Sequence, residues 1–229
     1  MQKKFIIVIP VYNEQEIIEK IIKEILIKFK KLNYEILILN DGSTDNTLEK
    51  LNNFKKQKKI TVINKKNEGH GKTLIKGYKL ALRKKIEYIL QIDGDNQIPL
   101  REYFQVVKNI DRGDIVCGLR FQRKDPLIRI ITTKILKFLI LLRHQVLIED
   151  SNIPFRIIKK KFLKENINYI DQSDVPNIFL SIIAAKNKSF FQIKTKHKFR
   201  STGVVSIRKF KLFIFCFKTF WEVMTFKSK

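Results

Sequence analysis

The chain has 229 residues, 44% of them hydrophobic, enough to bury one full-sized core, which excludes wholesale disorder. Its formal net charge of +25, from 47 Lys and Arg against 22 Asp and Glu, draws polyanions: nucleic acid, anionic membrane or phosphorylated substrates. Cys117 and Cys216 stand far apart in apolar stretches, so they read as small core residues in a reducing compartment, not as a disulfide or metal pair.

Residues 5–9, FIIVI, form a short, fully apolar, β-branched run, as expected of a strand covered on both faces. The leading MQKKFIIVIPVYNE starts basic, but its apolar run is too short for a secretory leader and lacks a small-residue cleavage site. Asn13 is placed to cap the next helix, with Glu16 as the capping-box partner. Apolar pairs at Ile17/Ile18, Ile21/Ile22 and Ile25/Leu26 give that helix one buried face, ending near Phe29. A second strand is expected over 35–39 (EILIL), ahead of the polar turn NDGSTDNT. A helix over 45–57, a strand over 60–64, a helix over 72–84 and a strand over 87–92 continue the alternation. A helix over 100–110 and a strand over 114–119 complete it.

Strands alternating with helices predict an α/β domain with a mainly parallel central sheet flanked by helices. In such sheets ligands bind where the strands' carboxyl ends emerge. The polar loops VYNE, NDGSTD, NEGHGK and DGDNQ therefore belong on one edge, and that edge is the expected site. Within NEGHGKT, Gly71, Lys72 and Thr73 imitate the tail of an ATPase phosphate loop. That pattern needs a second glycine five positions before Gly71, and position 66 is a lysine, so the ATPase reading is set aside.

The second half changes character, because residues 126–146 and 207–226 are both apolar and basic. In the latter, Phe210, Phe213, Ile214, Phe217, Trp221 and Met224 share one helical face, opposite Lys211, Lys218, Glu222 and Thr225. A helix lying in a membrane interface has this pattern, its aromatic face submerged and its lysines near anionic head groups. The alternative is a helix packed on the core or on a partner protein. No stretch of about 18 uncharged apolar residues exists, which argues against a membrane-spanning helix.

Asp93 and Asp95, one residue apart after a buried strand, can face one hard cation. The amide oxygen of Gln97 is a third candidate ligand, with diphosphate oxygens filling the remaining positions. Gly94 removes a side chain where a sugar or diphosphate would approach closely. A solvated turn uses the same residue types, and it is the position at a strand's end that favours metal and diphosphate. Asp41 is placed to accept hydrogen bonds from a base or ribose, or else to serve as a turn or cap residue.

Seven stretches, VIPVYNE (8–14), NDGSTDNT (40–47), NEGHGKTLIKGYKLA (67–81), IDGDNQIP (92–99), GLR (118–120), DSNIPFRI (150–157) and HKFRSTGVVS (197–206), fall in one familiar order. In them the chain resembles the family 2 glycosyltransferases, especially the dolichyl-phosphate mannosyltransferase-like and bacterial polyprenyl-phosphate enzymes. That resemblance implies a GT-A type nucleotide-sugar-binding domain over 1–206, followed by a C-terminal amphipathic interface helix over 207–229. It implies that Pro10, Tyr12, Glu14 and Asp41 hold the nucleoside, with NEGHGK beside the sugar nucleotide. Asp93 and Asp95 would bind the diphosphate and a divalent metal, Mg2+ or Mn2+, with Gln97 completing the metal site and Gly94 against the donor. Arg120 would approach the donor or acceptor phosphate. His197 and Arg200, in the family's HxxRxxG stretch, would sit on a mobile loop closing over the donor diphosphate. Two departures stand out. Asn40 replaces the usual first aspartate of DDGS, which weakens a contact near the base, and the transmembrane helices that often follow this domain do not appear.

The implied reaction is inverting transfer of a sugar from a nucleoside-diphosphate sugar to a polyprenyl phosphate. The enzyme would be peripheral, on the cytoplasmic face of the membrane, with a membrane-protein partner or as a homo-oligomer. A lipid phosphate, with a second pKa of about 6, is already anionic near neutrality and needs no general base. Asp150→Asn is then expected to reduce transfer only modestly. A hydroxyl acceptor does need a base, and Glu149-Asp150 resembles the base-bearing ED motif of other family branches, which makes Asp150 the candidate. The rival readings are a nucleic-acid-binding protein and an inert membrane scaffold. The lack of a nucleic-acid motif argues against the first, and Asp93, Asp95 and Gln97 together argue against the second. A chain ending at Ser206 is expected to lose vesicle binding and keep donor binding.

Overall fold

The apolar runs pair into one seven-stranded sheet in a computed structural model that describes residues 3–95, 97–121, 127–196 and 209–227. The strands are β1 (Lys4–Val11), β2 (Asn33–Asp41), β3 (Ile60–Lys65), β4 (Tyr88–Gln91), β5 (Ile115–Phe121), β6 (Arg156–Lys159) and β7 (Phe190–Lys196). They lie in the order β3-β2-β1-β4-β6-β5-β7. β1 to β4 run parallel, β5 runs parallel to β7, and β6 runs against both of its neighbours. With β6 reversed between them, β4 and β5 point the same way. The carboxyl ends of β1 to β5 and of β7 therefore share one edge, where β6 begins. The expectation of a mainly parallel sheet with its polar loops on one edge is met.

The helices are α1 (Ile18–Lys28), α2 (Thr47–Asn52), α3 (His70–Leu82), α4 (Leu100–Lys108), α5 (Leu127–His144), α6 (Lys160–Ile170), α7 (Pro176–Lys186) and α8 (Lys209–Thr225). α1 packs with α2 and α4, while α3, α6 and α7 form a second group. Right-handed crossovers explain why α1 and α2 lie opposite α3, because the chain reverses direction across the sheet between β3 and β4; α4, on the β4-to-β5 connection, packs with α1 and falls outside that rule. β1 is buried from Phe5 to Val11, and α1 buries Ile18, Ile21, Ile22 and Ile25 at helical spacing. Each such isoleucine contributes about 1.5–3 kcal/mol when taken fully out of water.

Two local expectations change. α1 begins at Ile18 and carries no side-chain cap. Asn13 instead adopts φ +53°, a left-handed conformation that asparagine tolerates, and ties the β1 loop to the β2 loop. Its amide N–H donates to Ser43 Oγ at 3.0 Å, and its Oδ1 accepts from the Thr44 amide at 2.8 Å. The helix expected over 45–57 shortens to α2, and a run of turns follows it. Both cysteines are free, and burial pushes the Cys117 thiol up to about 12, so it behaves as an inert core residue.

α8 packs on α5, burying Val223 and Thr219. Arg143 Nε donates to Met224 O at 2.8 Å, and His144 Nε2 lies 2.9 Å from Val223 O. Lys218 Nζ donates to Asp174 Oδ2 at 2.5 Å, and Ser173 Oγ donates to Glu222 Oε2 at 3.2 Å. The polar edge of α8 thus meets the turn between α6 and α7. Its other edge is bare, with Phe217 and Trp221 67% and 65% exposed and Ile214 beside them. α5 also leaves Ile128, Ile131, Ile135, Phe138 and Leu142 exposed at one-face spacing. Among the described residues no helix is long and apolar enough to cross a membrane.

Candidate functional site

At the carboxyl edge, one cleft is lined by Asp93, Asp95, Gln97 and Ile98 from the loop after β4, Tyr103 of α4, Arg120 of β5 and Pro154 ahead of β6. The DGD loop lies against the end of β1: a Cβ added at Gly94 would sit 3.4 Å from Pro10 O and 3.8 Å from Glu14 Cγ. The loop is held by its own turn, because Asp95 Oδ1 accepts from the Gln97 amide at 3.1 Å. Behind it, the Tyr78 hydroxyl donates to Gln91 Oε1 at 2.7 Å, and Gln91 Nε2 reaches towards Asp93 Oδ1 at 3.5 Å. Burial, reinforced by the charges of Asp93 and Asp95, raises the Tyr103 phenol well above its ordinary value, so it stays protonated.

Two carboxylates and an amide oxygen around one cleft make a hard-oxygen donor set, which suits Mg2+ or Mn2+. Among the described residues no group of three His, Cys, Asp or Glu could hold a metal.

Arg120 and Asp150, both singled out from sequence, meet at the wall of the cleft. Arg120 Nε donates to Asp150 Oδ2 at 2.7 Å and Nη2 donates to Oδ1 at 3.0 Å. The pair is bidentate and well enclosed, with the side chains 16% and 3% exposed.

Asp41 lies at the end of β2 and is turned into the protein. Its carboxylate pairs with buried Lys65 of β3 and accepts from the Glu68 and Gly69 amides, each at 3.0 Å. It therefore anchors the NEGHGK loop. The same closeness dictates Gly42, whose φ is +67° and whose added Cβ would lie 2.7 Å from Asn67 N. Asn40, where the family usually has aspartate, donates from Nδ2 to Asn64 Oδ1 and accepts from Ser43 Oγ. Pro10 and Tyr12 flank the end of β1, and Glu14 beside them is buried, its amide donating to Thr47 Oγ1 at 2.9 Å.

Burial alone would raise the Asp41 pKa, but Lys65, the Glu68 amide and Thr73 outweigh it and hold the carboxyl below its ordinary 3.8. The stability it contributes is therefore present above 3.8 and is lost as pH falls through the lower folded value. Asp41→Asn, which leaves Lys65 buried without its countercharge, should cost about 3 kcal/mol at neutral pH. The difference from the unmutated chain should shrink under acid, and urea midpoints measured across pH check both points.

Sequence reasoning missed Lys65, Tyr103, Pro154 and the buried Tyr78–Gln91 pair. Lys65 is one of 47 cations and nothing local distinguishes it. Pro154 and Arg156 stand within DSNIPFRI, a matched stretch in which Asp150 alone had been given a role. His197 and Arg200 lie outside the described residues, as do the side chains of Phe210, Lys211 and Phe213. β7, which leads into the His197 stretch, ends at Lys196 on the same edge.

The family model described as glycosyl transferase family 2 matches residues 6–171. An uncharacterised protein of Methanocaldococcus jannaschii, MJ0544, is 36% identical over 172 residues, covering 70% of this chain and 73% of its own. The undecaprenyl-phosphate 4-deoxy-4-formamido-L-arabinose transferase of Serratia proteamaculans is 26% identical over 207 residues, or 88% of this chain. The match spans 62% of that transferase's length. Among solved structures, glucosyl-3-phosphoglycerate synthase of Mycobacterium tuberculosis, in complex with Mn2+, UDP and its product, superposes with a TM-score of 0.70. It is 14% identical, with 97% of this chain and 78% of that chain covered, a likeness of fold.

Proposed function

The chain belongs to glycosyl transferase family 2, and we propose that it moves a sugar from a nucleoside-diphosphate donor to a polyprenyl phosphate at a membrane surface. The observation that carries this reading is the meeting of Asp93, Asp95, Gln97 and Arg120 in one cleft at the carboxyl edge of the sheet. Carboxylates alone would repel a diphosphate, so their pairing with an amide and a guanidinium favours a site shared by a cation and an anionic ligand. A divalent cation bound through Asp93, Asp95 and Gln97 would neutralise charge developing on the leaving diphosphate. The rest of the step falls to this chain's own residues and to the acceptor. An acceptor phosphate oxygen attacks the anomeric carbon as the bond to the diphosphate breaks, and Arg120 offers its fixed positive charge to the anions. Inversion at the anomeric carbon is the family expectation.

Two features favour a lipid phosphate over a hydroxyl acceptor. Both oxygens of Asp150, the candidate base, are bonded to Arg120. Two neighbouring helices, α5 and α8, also leave apolar stripes uncovered on a chain of net charge +25, which suits an anionic lipid surface. The acceptor named for the Serratia relative, undecaprenyl phosphate, is of this class.

A thermal-shift screen of uridine and guanosine diphosphate sugars, with Mg2+ or Mn2+, tests the donor half. A donor at a hundred times its Kd adds about 2.7 kcal/mol of stability, or roughly 5–10 °C in a chain of this size. Transfer from the donor found should then proceed onto a short polyprenyl phosphate and not onto the matching polyprenol. Transfer to the alcohol alone would replace this reading with the hydroxyl-acceptor one.

A further inference from the structure

We infer that Asp150 is a positioning residue, which holds the Arg120 guanidinium in the plane of the cleft wall and abstracts no proton. This rests on the proposed reading of the cleft as a diphosphate and phosphate site. Arg120 lines the cleft, and Asp150 stands behind it at 2% exposure. Two parallel bonds, from Nε to Oδ2 and from Nη2 to Oδ1, fix the plane and the rotation of the guanidinium together. A general base must come within about 2.6–3.2 Å of the proton it takes, or reach it through one water. An enclosed carboxylate with both oxygens on an arginine is badly placed for that, and well placed to orient the arginine.

The carboxylate is in turn fixed from behind. The main-chain carbonyl of Asp150 accepts from Gln192 Nε2 at 3.0 Å. The loop that follows is clamped by Arg156, a guanidinium with 0% exposure that donates to Ser151 O at 3.1 Å, Ile153 O at 2.6 Å and Asn177 O at 3.0 Å. Ser181 Oγ accepts from Arg156 Nη1 at 3.2 Å and lies 2.9 Å from Ser151 O. The strand after the clamp closes the same wall, because the Gly118 amide donates to Phe155 O at 2.9 Å. A surface ion pair made for stability alone would need no buried second arginine holding its loop. Here Arg156 holds the loop, the loop holds Asp150, and Asp150 holds Arg120 at the site of transfer.

The test uses the full chain and begins without substrate. In 15N-labelled protein, the Arg120 Nε–H signal, assigned by its loss in Arg120→Lys, should be shifted and slow to exchange. Asp150→Asn should move it to the position of a solvent-exposed arginine. An Arg120 signal already at that position in the unmutated chain overturns the proposal without recourse to Asp150→Asn, even if that variant fails to fold. In transfer assays Asp150→Asn, for which the sequence alone implied only a modest effect, should lower kcat/KM about ten- to a hundredfold, because the bidentate pair with Arg120 makes misorientation the cost. The double variant with Arg120→Lys should lose no more than the worse single one, since the two residues act as a unit. The acid limb of the pH–rate profile should survive in Asp150→Asn. Loss of that limb, with multiplying effects in the double variant, assigns Asp150 as a base and overturns the inference, as does unchanged kcat/KM in Asp150→Asn. Failure of the unmutated chain to bind UDP or GDP with Mn2+ would sink the proposed function instead, and the nuclear resonance result would still stand.

Discussion

Asp95→Asn is expected to lower sugar transfer by about three powers of ten, from the several kcal/mol that a cation contributes at a developing anionic leaving group. The geometry allows that loss without a folding defect. Asp95 is half-buried, and Asn keeps the Oδ1 that accepts from the Gln97 amide, so the turn survives. Such a substitution in a loop falls within about 0.5 kcal/mol of neutral in stability. What it removes is half of the carboxylate pair facing the cleft. The substituted chain should therefore melt at the same temperature and no longer gain stability from a nucleoside diphosphate plus Mn2+. A chelator should inactivate the unmutated chain to a similar level. Undiminished transfer in the variant, or full activity in excess chelator, would take the metal out of the mechanism.

Much of this architecture could be read from the chain, and the reasons are local. Each of the first four strands is a short apolar run followed by a polar loop; β1, β2 and β4 are buried through most of their length, so period and burial agree, while the edge strand β3 exposes Thr61 and Asn64. The parallel alternation then fixes where the loops emerge, which is why VYNE, NDGSTD, NEGHGK and DGDNQ were placed together correctly. Beyond residue 121 the pattern no longer alternates. β6 is four residues long and reversed, and α7 is apolar all round, burying Ile178, Phe179, Leu180 and Ile182 together. A helix with no polar face leaves no periodic trace. Partner choice was harder still. From sequence Asp41 reads as a nucleoside contact or a turn residue and Asp150 as a possible base; that the sheet register brings Lys65 beside Asp41, and the β5 edge Arg120 beside Asp150, has no local trace. Asn13 shows the same limit. Its capping pattern with Glu16 is genuine by type and spacing, yet the left-handed turn spends its side chain on Thr44 instead.

Serine in place of both Phe217 and Trp221 should release the protein from vesicles while leaving donor binding intact. These side chains are about two-thirds exposed and touch little of the core, so their removal costs the fold little. On a bilayer each would bury aromatic surface, and at a conservative 1 kcal/mol or so apiece the pair accounts for about a thirtyfold weakening. The loss should be seen on neutral vesicles as well as anionic ones, because it is apolar area that disappears. Serine at Phe138 and Leu142 of α5 should act in the same direction, since these also stand exposed on a neighbouring helix. Lys218→Gln now reads differently from a head-group contact: Lys218 is bonded to Asp174, so its loss should loosen the seating of α8. Truncation before α8 is a poorer experiment for the same reason. Val223 is fully buried and Phe226 packs on Phe179 with ring centroids 4.3 Å apart, so the cut would open apolar core and confuse membrane loss with unfolding. The paired point substitutions separate the two. Unchanged sedimentation with vesicles after all four serines would mean that the exposed stripes face a protein partner rather than lipid, and a soluble, correctly melting variant that still binds UDP or GDP with Mn2+ but no longer reaches the polyprenyl phosphate would tie membrane contact directly to acceptor capture.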